Sequence, residues 1–401
     1  IEKTSNVFLR VTKTKLAIRN VKLKQRTKKK QIKKIQKTKK LFKVKKPSRL
    51  TEPSRNKRHA MAKIAVVGAG SWGTALAQTL ALGGNEVCMW ARKAQVAQGI
   101  TQAHRNPRYL SGIMLAESIC ATDDLAQCVN GAEVIVMVTP SRLTRSFAEQ
   151  LKPLISSDTP IVLCSKGVEE GSGMVPMQVF EEVLGNVDRL AALSGPNHAE
   201  EVVVGVPAGT VIASPNTEIA CYFRDLFTTP TFRCYTSEDY IGVELCAAFK
   251  NVIAIAVGAS YGMGYGDNTA AMLMTRGMAE MSRLVTACGG KALTVMGLAG
   301  AGDLIATCTS EHSRNRTFGK ALAQGGTLEA YEERTHMVVE GALACKTICP
   351  LAQRYNVELP IATAVRSIVW EHGALDAIAL ELFSRPLTTE FWGLEDSEAR
   401  Q

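Results

Sequence analysis

The sequence predicts an α/β fold, with a doubly wound sheet in the first part of the chain and an all-α domain after it. Short, mostly apolar runs typical of buried strands lie at 64–67, 86–90, 134–138, 161–164, 190–193 and 210–213. Helical patterns alternate with these runs, which is the element order of a doubly wound sheet. After about residue 237 the pattern is helical throughout.

The first 60 residues are too basic and too poor in apolar groups to belong to this fold. They hold 23 basic and 2 acidic residues, which gives a formal net charge of +21. Residues 61–401 hold 25 basic and 35 acidic residues, which gives a formal net charge of −10. A segment as basic as 1–60 cannot bury enough apolar surface to fold, so a disordered extension is predicted. Three explanations stay open: translation that starts at Met61, a targeting peptide, or an arm that neutralises nucleic-acid phosphates.

The cysteines and the hydropathy of 61–401 favour a cytoplasmic protein. All eleven cysteines lie in this part, none forms a CxxC pair, and Cys88, Cys164 and Cys246 sit inside apolar runs. This pattern favours reduced core thiols over a disulfide framework or a zinc site, so no metal is expected. No uninterrupted apolar stretch reaches the roughly 18 residues that a membrane span needs.

The first predicted strand leads into a glycine-rich turn. Gly68, Gly70 and Gly73 form the pattern GxGxxG, and a helical pattern and a second strand follow. The glycines permit a tight turn and let the backbone approach a pyrophosphate at the helix N-terminus. We therefore predict a Rossmann-like dinucleotide-binding domain over 61–237. A plain strand–helix turn is the alternative.

The residues after the second strand bear on the choice of cofactor. Sites that prefer NAD usually place Asp or Glu there to bind the ribose hydroxyls, but this chain has Ala91, Arg92 and Lys93. Two cations suit a 2′-phosphate, so the expected cofactor is NADPH or NADH, with NADPH favoured. A solvated basic start of the next helix is the alternative.

Polar segments follow three later strands, at 139–141, 165–167 and 194–198. A doubly wound sheet binds its ligands at the C-terminal ends of its strands. These three segments are therefore expected to line the ligand site.

The helical part contains one lysine in an otherwise uncharged, apolar stretch. Lys250 is the only formally charged residue between Leu245 and Gly266. Burial would lower its pKa toward the working pH, which suits a general acid or base. A lysine that extends to the surface is the alternative. The glycine-rich run 297–302 leads to Asp303, which either orients Lys250 or caps a helix after a flexible loop.

A second charged cluster opens a helix at 313–316. Ser313 can cap this helix, and its free N–H groups together with Arg314 make an anion site for a substrate or cofactor phosphate. An ordinary capped surface helix is the alternative. The stretch 338–341 indicates nothing by its chemistry alone.

Taken together, these segments resemble the bacterial NAD(P)-dependent glycerol-3-phosphate dehydrogenases over essentially all of 61–395. Seven motifs carry the resemblance in order: GAGSWGTAL from Gly68, SKG from Ser165, SGPNHAEE from Ser194, KNVIAI from Lys250, GAGDL from Gly300, TCTSEHSRNR from Thr307 and VVEG from Val338. Seven ordered motifs are far more specific than the glycine-rich turn alone.

The resemblance implies an oxidoreductase with a role for each matched residue. Lys250 is the expected proton acceptor for the C2 hydroxyl of sn-glycerol 3-phosphate and the proton donor in reduction of dihydroxyacetone phosphate, supported by Asp303. The residues expected at the cofactor are Gly68, Gly70, Ser71, Trp72, Gly73, Arg92, Lys93, Lys166, Ala199, Arg314, Val338 and Glu340. Those expected at the substrate are Lys166, Gly195, Asn197, Lys250, Asp303, Ser313, Arg314 and Asn315. Asn197 stands where the family more often has Ser or Thr, although Asn also donates and accepts hydrogen bonds.

The resemblance also sets the expected organisation and partners. The helical part, 238–395, is the expected substrate and catalytic domain, with 396–401 as a tail. The expected partners are the two phosphorylated substrates. Neither a specific nucleic acid nor a membrane span is expected, and a homodimer is one assembly. The reductive direction feeds glycerophospholipid synthesis in this family.

Two rival functions are set against this one. A related reductase acting on hydroxyacids or ketopantoate has no use for the anion site at 313–316. A non-catalytic protein that senses nucleotides or binds nucleic acid through the basic extension would not need both Lys250 and Asp303.

Overall fold

The computed structural model describes residues 61–394, and their first part is an eight-stranded sheet. Its order is β3-β2-β1-β4-β5-β6-β7-β8. The first six strands in this order are parallel, β7 runs antiparallel to β6, and β8 is parallel to β7. The strands are β1 (Lys63–Val67), β2 (Glu86–Trp90), β3 (Ile119–Thr122), β4 (Val134–Met137), β5 (Ile161–Leu163), β6 (Leu190–Ser194), β7 (Ala208–Ala213) and β8 (Phe232–Ser237).

Helices cover both faces of the sheet, which confirms the predicted fold class. Alternate residues of β1 show the two faces: Ile64 and Val66 belong to one buried core, whereas Ala65 and Val67 belong to another. The helices of this part are α1 (Ser71–Leu82), α2 (Ala94–Ala103), α3 (Leu125–Val129), α4 (Thr144–Leu151), α5 (Pro176–Leu184), α6 (Ala199–Val202) and α7 (Thr217–Phe227). Helices α1, α2 and α7 pack on the first face, and α3, α4 and α5 on the second.

Two strands were not predicted, and both lie at the edges of the sheet. In β8, Phe232 and Cys234 are buried while Arg233 and Tyr235 are exposed. In β3 only the first residue, Ile119, is fully buried. Continuous apolar runs mark strands that are buried on both faces, and half-exposed edge strands lack this signal.

The second part of the structure is all-helical around one long central helix. Its helices are α8 (Tyr240–Gly262), α9 (Asp267–Ala287), α10 (Asp303–Thr309), α11 (Arg314–Leu322), α12 (Leu328–Thr335), α13 (Glu340–Arg354), α14 (Pro360–Trp370) and α15 (Leu375–Phe383). Helix α8 is long and apolar enough to cross a membrane by length and composition, but 89% of its most apolar window is buried inside the fold. Such burial is that of a core helix of a globular protein.

Glycines bring α11 directly against α8. A side chain on Gly258 of α8 would collide with the carbonyl oxygen of Arg316, and one on Gly319 of α11 would collide with that of Ile255. The two backbones therefore touch where the helices cross. This contact places the N-terminus of α11 beside the middle of α8, where Lys250 lies.

Candidate functional site

The glycine-rich turn joins β1 to α1 at the point where the strand order reverses between β1 and β4. Gly68 has φ +126°, and a side chain there would collide with the backbone of Val138, just beyond β4. A side chain on Gly73 would collide with the carbonyl of Gly68. Gly70, in contrast, faces open space, and α1 begins with no side-chain cap on its N–H groups. An opening at an uncapped helix N-terminus fits a pyrophosphate.

Asn106, which was not predicted from the sequence, holds a neighbouring loop on this turn. Its side chain is only 1% exposed. The amide Nδ2 donates to the carbonyl of Ala69 at 3.0 Å and to Oγ1 of Thr74 at 2.9 Å, while Oδ1 accepts from the backbone N–H groups of Arg108 and Tyr109, both at 3.0 Å. The bonds to Arg108 and Tyr109 are local, but the two that hold the turn are to residues more than 30 positions earlier in the chain, which no local pattern reveals.

Four other predicted residues of the first part, Trp72, Arg92, Lys93 and Ala199, lie on the side of the sheet that carries this turn. Trp72 is partly buried and packs with the cluster that contains Ala199, the first residue of α6. Arg92 and Lys93 are exposed between β2 and α2, and Lys93 immediately precedes that helix. Two exposed cations at this strand end suit an anionic group on the adenosine side of a dinucleotide.

A buried cluster of two lysines and one carboxylate forms where the sheet meets the helical part. Asp303 is 3% exposed and Lys250 is 7% exposed. Lys250 Nζ donates to Asp303 Oδ1 at 2.8 Å, and Lys166 Nζ, from the segment after β5, donates to Asp303 Oδ2 at 2.7 Å. Lys250 therefore does not extend to the surface. The carboxylate, in turn, does not cap a helix, because both its oxygens accept from ammonium groups.

Thr307, one turn along α10, completes this cluster. Its hydroxyl accepts from Lys250 Nζ at 2.7 Å and donates to the carbonyl of Asp303 at 2.6 Å. The lysine thus has two fixed acceptors, which orient its ammonium group. Thr307 lies within one of the motifs that carry the family resemblance, but no role was predicted for it.

Burial and charge set the protonation of the cluster. Burial lowers the pKa of Lys250 below its ordinary value, and Lys166 lowers it further, while Asp303 acts in the opposite sense. Burial acts to raise the pKa of Asp303, but the charges and hydrogen bonds of Lys166 and Lys250 outweigh it and the pKa is lowered. A carboxylate that stays ionised beside a lysine with a lowered pKa is suited to proton transfer at that lysine.

The approach to Asp303 is helical rather than a flexible loop. Leu298–Gly302 form a π-helical turn that runs directly into α10. A side chain on Gly300 would collide with the carbonyl of Val295, so the turn is closely packed. This turn fixes the direction from which Asp303 enters the cluster.

The N-terminus of α11 lies next to the lysine cluster. Ser313 caps the helix by accepting from the N–H of Arg316 at 3.3 Å, as predicted. Asn315 is buried; its Nδ2 donates to Oδ1 of Asn251, the residue after Lys250, at 2.8 Å, and its Oδ1 accepts from Gly341 N at 2.9 Å. These bonds tie the start of α11 to α8 and to α13.

Arg314 joins this helix to the 338–341 stretch. Its Nη1 donates to the carbonyl of Val338 at 3.4 Å, and its Nη2 lies 3.9 Å from Oε1 of Glu340. Both side chains of the ion pair are about half exposed. The structure therefore brings Arg314, Val338 and Glu340 together, although they are distant in sequence.

The segment after β6 faces the same region from the sheet. Asn197 Nδ2 donates to the carbonyl of Gly209 at 2.9 Å, while its Oδ1 is buried and has no partner within 61–394. A side chain on Gly195 would lie 2.8 Å from the backbone of β7. The next residue, Pro196, packs near Gly302, beside Asp303. Asn197 thus keeps a free acceptor beside the cluster.

The two groups of residues lie apart along the sheet. Arg92 follows β2 and Lys166 follows β5, and these strands are three positions apart in the sheet order. At the usual spacing this separation is about 14 Å. The residues at Gly68–Gly73 lie between them, so the predicted site spans the strand-order reversal rather than forming one compact pocket.

Comparisons with known proteins bear on the whole of this arrangement. Family models described as NAD-dependent glycerol-3-phosphate dehydrogenase N-terminus and C-terminus match residues 63–220 and 239–379. The chain is 43% identical over 332 residues to glycerol-3-phosphate dehydrogenase [NAD(P)+] of Corynebacterium jeikeium, covering 82% of this chain and 100% of that protein. It is 45% identical over 327 residues to the protein of the same name from Moorella thermoacetica, covering 82% and 97%.

A solved structure is similar over the same range. The glycerol-3-phosphate dehydrogenase of Coxiella burnetii superposes with a TM-score of 0.78 at 37% identity, covering 81% of this chain and 99% of that one. The similarity therefore extends through both parts of the structure.

Proposed function

The chain belongs to the NAD-dependent glycerol-3-phosphate dehydrogenase family, and from this premise we propose that it reduces dihydroxyacetone phosphate to sn-glycerol 3-phosphate reversibly, with NADPH or NADH. The observation that carries the proposal is the buried cluster of Lys250, Asp303 and Lys166 beside the N-terminus of α11. It combines a proton-transfer group with a place for a phosphate.

A dinucleotide would be held by residues from the end of β2, the glycine-rich turn and the lysine cluster. Gly70 and Ser71, at the open N-terminus of α1, would hold its pyrophosphate. Arg92 and Lys93 would hold the 2′-phosphate of NADPH, so NADPH is favoured over NADH. The remaining cofactor contacts are Gly68, Trp72, Gly73, Lys166, Ala199, Arg314, Val338 and Glu340.

The substrate lies between the sheet and the helical part. Its phosphate binds at the start of α11, where Arg314 adds a positive charge to the helix N-terminus. Its oxygen atoms near the reacting carbon contact Lys166 and Lys250. The remaining substrate contacts are Gly195, Asn197, Asp303, Ser313 and Asn315.

Lys250 carries the proton chemistry. When bound, the nicotinamide supplies a hydride to C2 of the ketone. The ammonium group of Lys250 donates a proton to the C2 oxygen as that oxygen gains charge, and in the reverse direction the neutral amine accepts it. Asp303 and Thr307 hold Nζ in place throughout. The phosphate anchor contributes by orientation, since it fixes the ketone relative to Nζ.

The organisation of the chain follows from these assignments. Residues 61–237 form the dinucleotide-binding domain and 238–395 the substrate and catalytic domain. We propose that the protein acts in the cytoplasm, with a homodimer as one assembly, and that its product feeds glycerophospholipid synthesis. A hydroxyacid or ketopantoate reductase is disfavoured, because the anion site at α11 has no partner in an unphosphorylated substrate.

The proposed function is tested by following the loss of reduced-nicotinamide absorbance with the purified chain and dihydroxyacetone phosphate. Rapid oxidation of NADPH, with slower oxidation of NADH, is the expected result. Ketopantoate serves as the unphosphorylated comparison substrate. Turnover of ketopantoate without turnover of dihydroxyacetone phosphate would replace the proposed function by that of the related reductases.

A further inference from the structure

The segment 165–175, between β5 and α5, connects the lysine cluster to both parts of the structure. It begins with Ser165, whose hydroxyl donates to the carbonyl of Thr139 at 2.6 Å, and continues with Lys166. Two of its valines, Val168 and Val175, are buried in the core of the helical part rather than in either core of the sheet. The segment thus inserts into the helices while its ends stay attached to the sheet.

On the sheet side, Arg145 of α4 holds this segment through Glu169. Its guanidinium makes two hydrogen bonds to the carboxylate, at 2.9 and 2.8 Å. The pair lowers the pKa of Glu169, chiefly through these hydrogen bonds. Ser172 adds a third bond to the same carboxylate at 2.6 Å, which closes the segment into a compact turn.

On the helical side, Arg354 at the end of α13 holds the same turn. Its Nη1 donates to the carbonyl of Ser172 at 2.6 Å, and its Nη2 donates to that of Gly171. A side chain on Gly173 would lie 3.0 Å from Arg354 Nη1. Lysine cannot reproduce this contact, because only the planar guanidinium presents two donors in a fixed fork.

We propose that Arg354 is a positioning residue for Lys166 and acts through the 165–175 segment. Lys166 has one ion-pair partner within 61–394, Asp303, so its ammonium is held from one side only. The backbone that carries it must supply the remaining constraint. Arg354 supplies that constraint from the helical part, on which Lys250 and Asp303 also lie. The inference rests on the proposed function, in which Lys166 contacts the substrate.

A double-mutant cycle tests this inference with the full chain. Arg354→Ala is expected to lower kcat/KM for dihydroxyacetone phosphate by about tenfold, since a small displacement of a substrate-contacting group is costly. Arg354→Lys restores less than half of the loss. Lys166→Ala alone lowers the same constant by about a hundredfold. If Arg354 acts through Lys166, adding Arg354→Ala to Lys166→Ala changes the constant by less than about twofold.

Two outcomes of the cycle would overturn the inference. One is additivity, in which Arg354→Ala costs the same tenfold with and without Lys166. The other is an unchanged kcat/KM in the single variant. Arg366→Ala is the matched control, because it removes an arginine of the helical part whose ion pair is to Glu371 at 3.5 Å. It should match the wild type.

Hydrogen exchange tests the same inference without a measurement of enzyme activity. The N–H of Gly173 donates to the carbonyl of Glu169, and the N–H of Glu169 donates to the carbonyl of Met174. In Arg354→Ala both should exchange faster, while amides of β5 keep their wild-type rate and so exclude general unfolding. Unchanged exchange across 167–175 would overturn the inference. A wild-type chain that fails to reduce dihydroxyacetone phosphate would instead refute the proposed function. The hydrogen-exchange result would still show whether Arg354 holds the 165–175 segment in place.

Discussion

Lys250 shows how far a single residue can be interpreted from sequence. Its isolation in an apolar stretch predicted that it would be either buried and paired or extended to the surface. In the structure Lys250 is buried, and its Nζ donates to Asp303 and Thr307. Asp303 was offered as a partner because its motif is rich in glycine. Thr307 was not, because only the pitch of α10 places its hydroxyl back beside Asp303.

Replacing Lys250 by alanine should abolish turnover and spare cofactor binding. The loss of a positioned proton donor is expected to lower kcat by about a thousandfold, whereas the Kd for NADPH, measured by its fluorescence, should change by less than about twofold. Lys291→Ala is the control, since that lysine is exposed and its one ion pair within 61–394 is to Glu238, at 3.5 Å. Wild-type turnover in Lys250→Ala would remove this residue from the mechanism.

The direction of the Lys250 pKa shift gives the sign of a pH effect on rate. Reduction needs the protonated amine, so kcat for reduction should fall as pH rises through the lowered pKa. Oxidation needs the neutral amine, so kcat in that direction should rise over the same range. Opposite slopes in the two directions are the expected result. Parallel slopes would assign the ionisation to another group.

Arg92 and Lys93 should determine the preference between the two cofactors. Both side chains are exposed, so their removal should disturb only what they bind. Arg92→Ala is expected to raise KM for NADPH by about tenfold and KM for NADH by less than about twofold, because only NADPH carries the 2′-phosphate. Arg105→Ala, on the exposed loop beyond α2, is the comparison variant. An equal rise for both cofactors would place Arg92 at a group that they share.

At the scale of elements, prediction was most accurate where burial is uniform. The strands β1, β4, β5 and β6 are largely buried runs and were predicted to within one residue at each end. Strand β2 is only partly buried, but its mostly apolar run was also predicted, whereas the prediction for β7 begins two residues late. The edge strands were missed for the reason given above. The π-helical turn at Leu298–Gly302 was not predicted, and a flexible loop was the alternative considered there, because glycines favour irregular backbone; in the structure Gly300 packs closely against Val295.

One helix start depends on a buried carboxylate that also titrates. Glu280 of α9 accepts from the N–H groups of Ile361 at 2.7 Å and Ala362 at 3.3 Å, in the first turn of α14. Burial raises the pKa of Glu280 to about 7, partly offset by these hydrogen bonds. Its protonated form is therefore favoured in the folded state over a wider pH range than in the unfolded chain.

Glu280 should make the protein less stable at pH 8 than at pH 5. A raised carboxyl pKa contributes stability that is fully present below the ordinary value, near 4.5, and is lost as pH rises through about 7. Glu280→Gln keeps an acceptor for Ile361 but cannot ionise. Its melting temperature relative to the wild type should therefore increase from pH 5 to pH 8. Glu358→Gln, an exposed carboxylate of the same part, controls for general charge. A difference in melting temperature between Glu280→Gln and the wild type that stays constant with pH would contradict the prediction.

For the whole molecule, the charge division in the sequence separates the catalytic unit from the basic extension. Every residue proposed for the site lies between Gly68 and Glu340, and the family models match only within 63–379. Residues 1–60 carry a formal net charge of +21, against −10 for 61–401. The prediction of disorder in 1–60 lies outside the described residues. Even so, charge alone predicts which properties each part should confer.

Deleting residues 1–60 should leave catalysis intact and abolish binding to nucleic acid. The shortened chain is expected to keep kcat and both KM values within about twofold, because it retains the whole proposed site. The full chain should bind a fluorescein-labelled DNA duplex without sequence preference, and should bind it much more weakly at about 200 mM salt than at about 50 mM, since lysines displace counterions from phosphates. The shortened chain, with its net negative charge, should not bind at either concentration. Loss of turnover on deletion would mean that the extension contributes to the site. DNA binding that survives deletion would place the basic surface within 61–401, where the net charge argues against it.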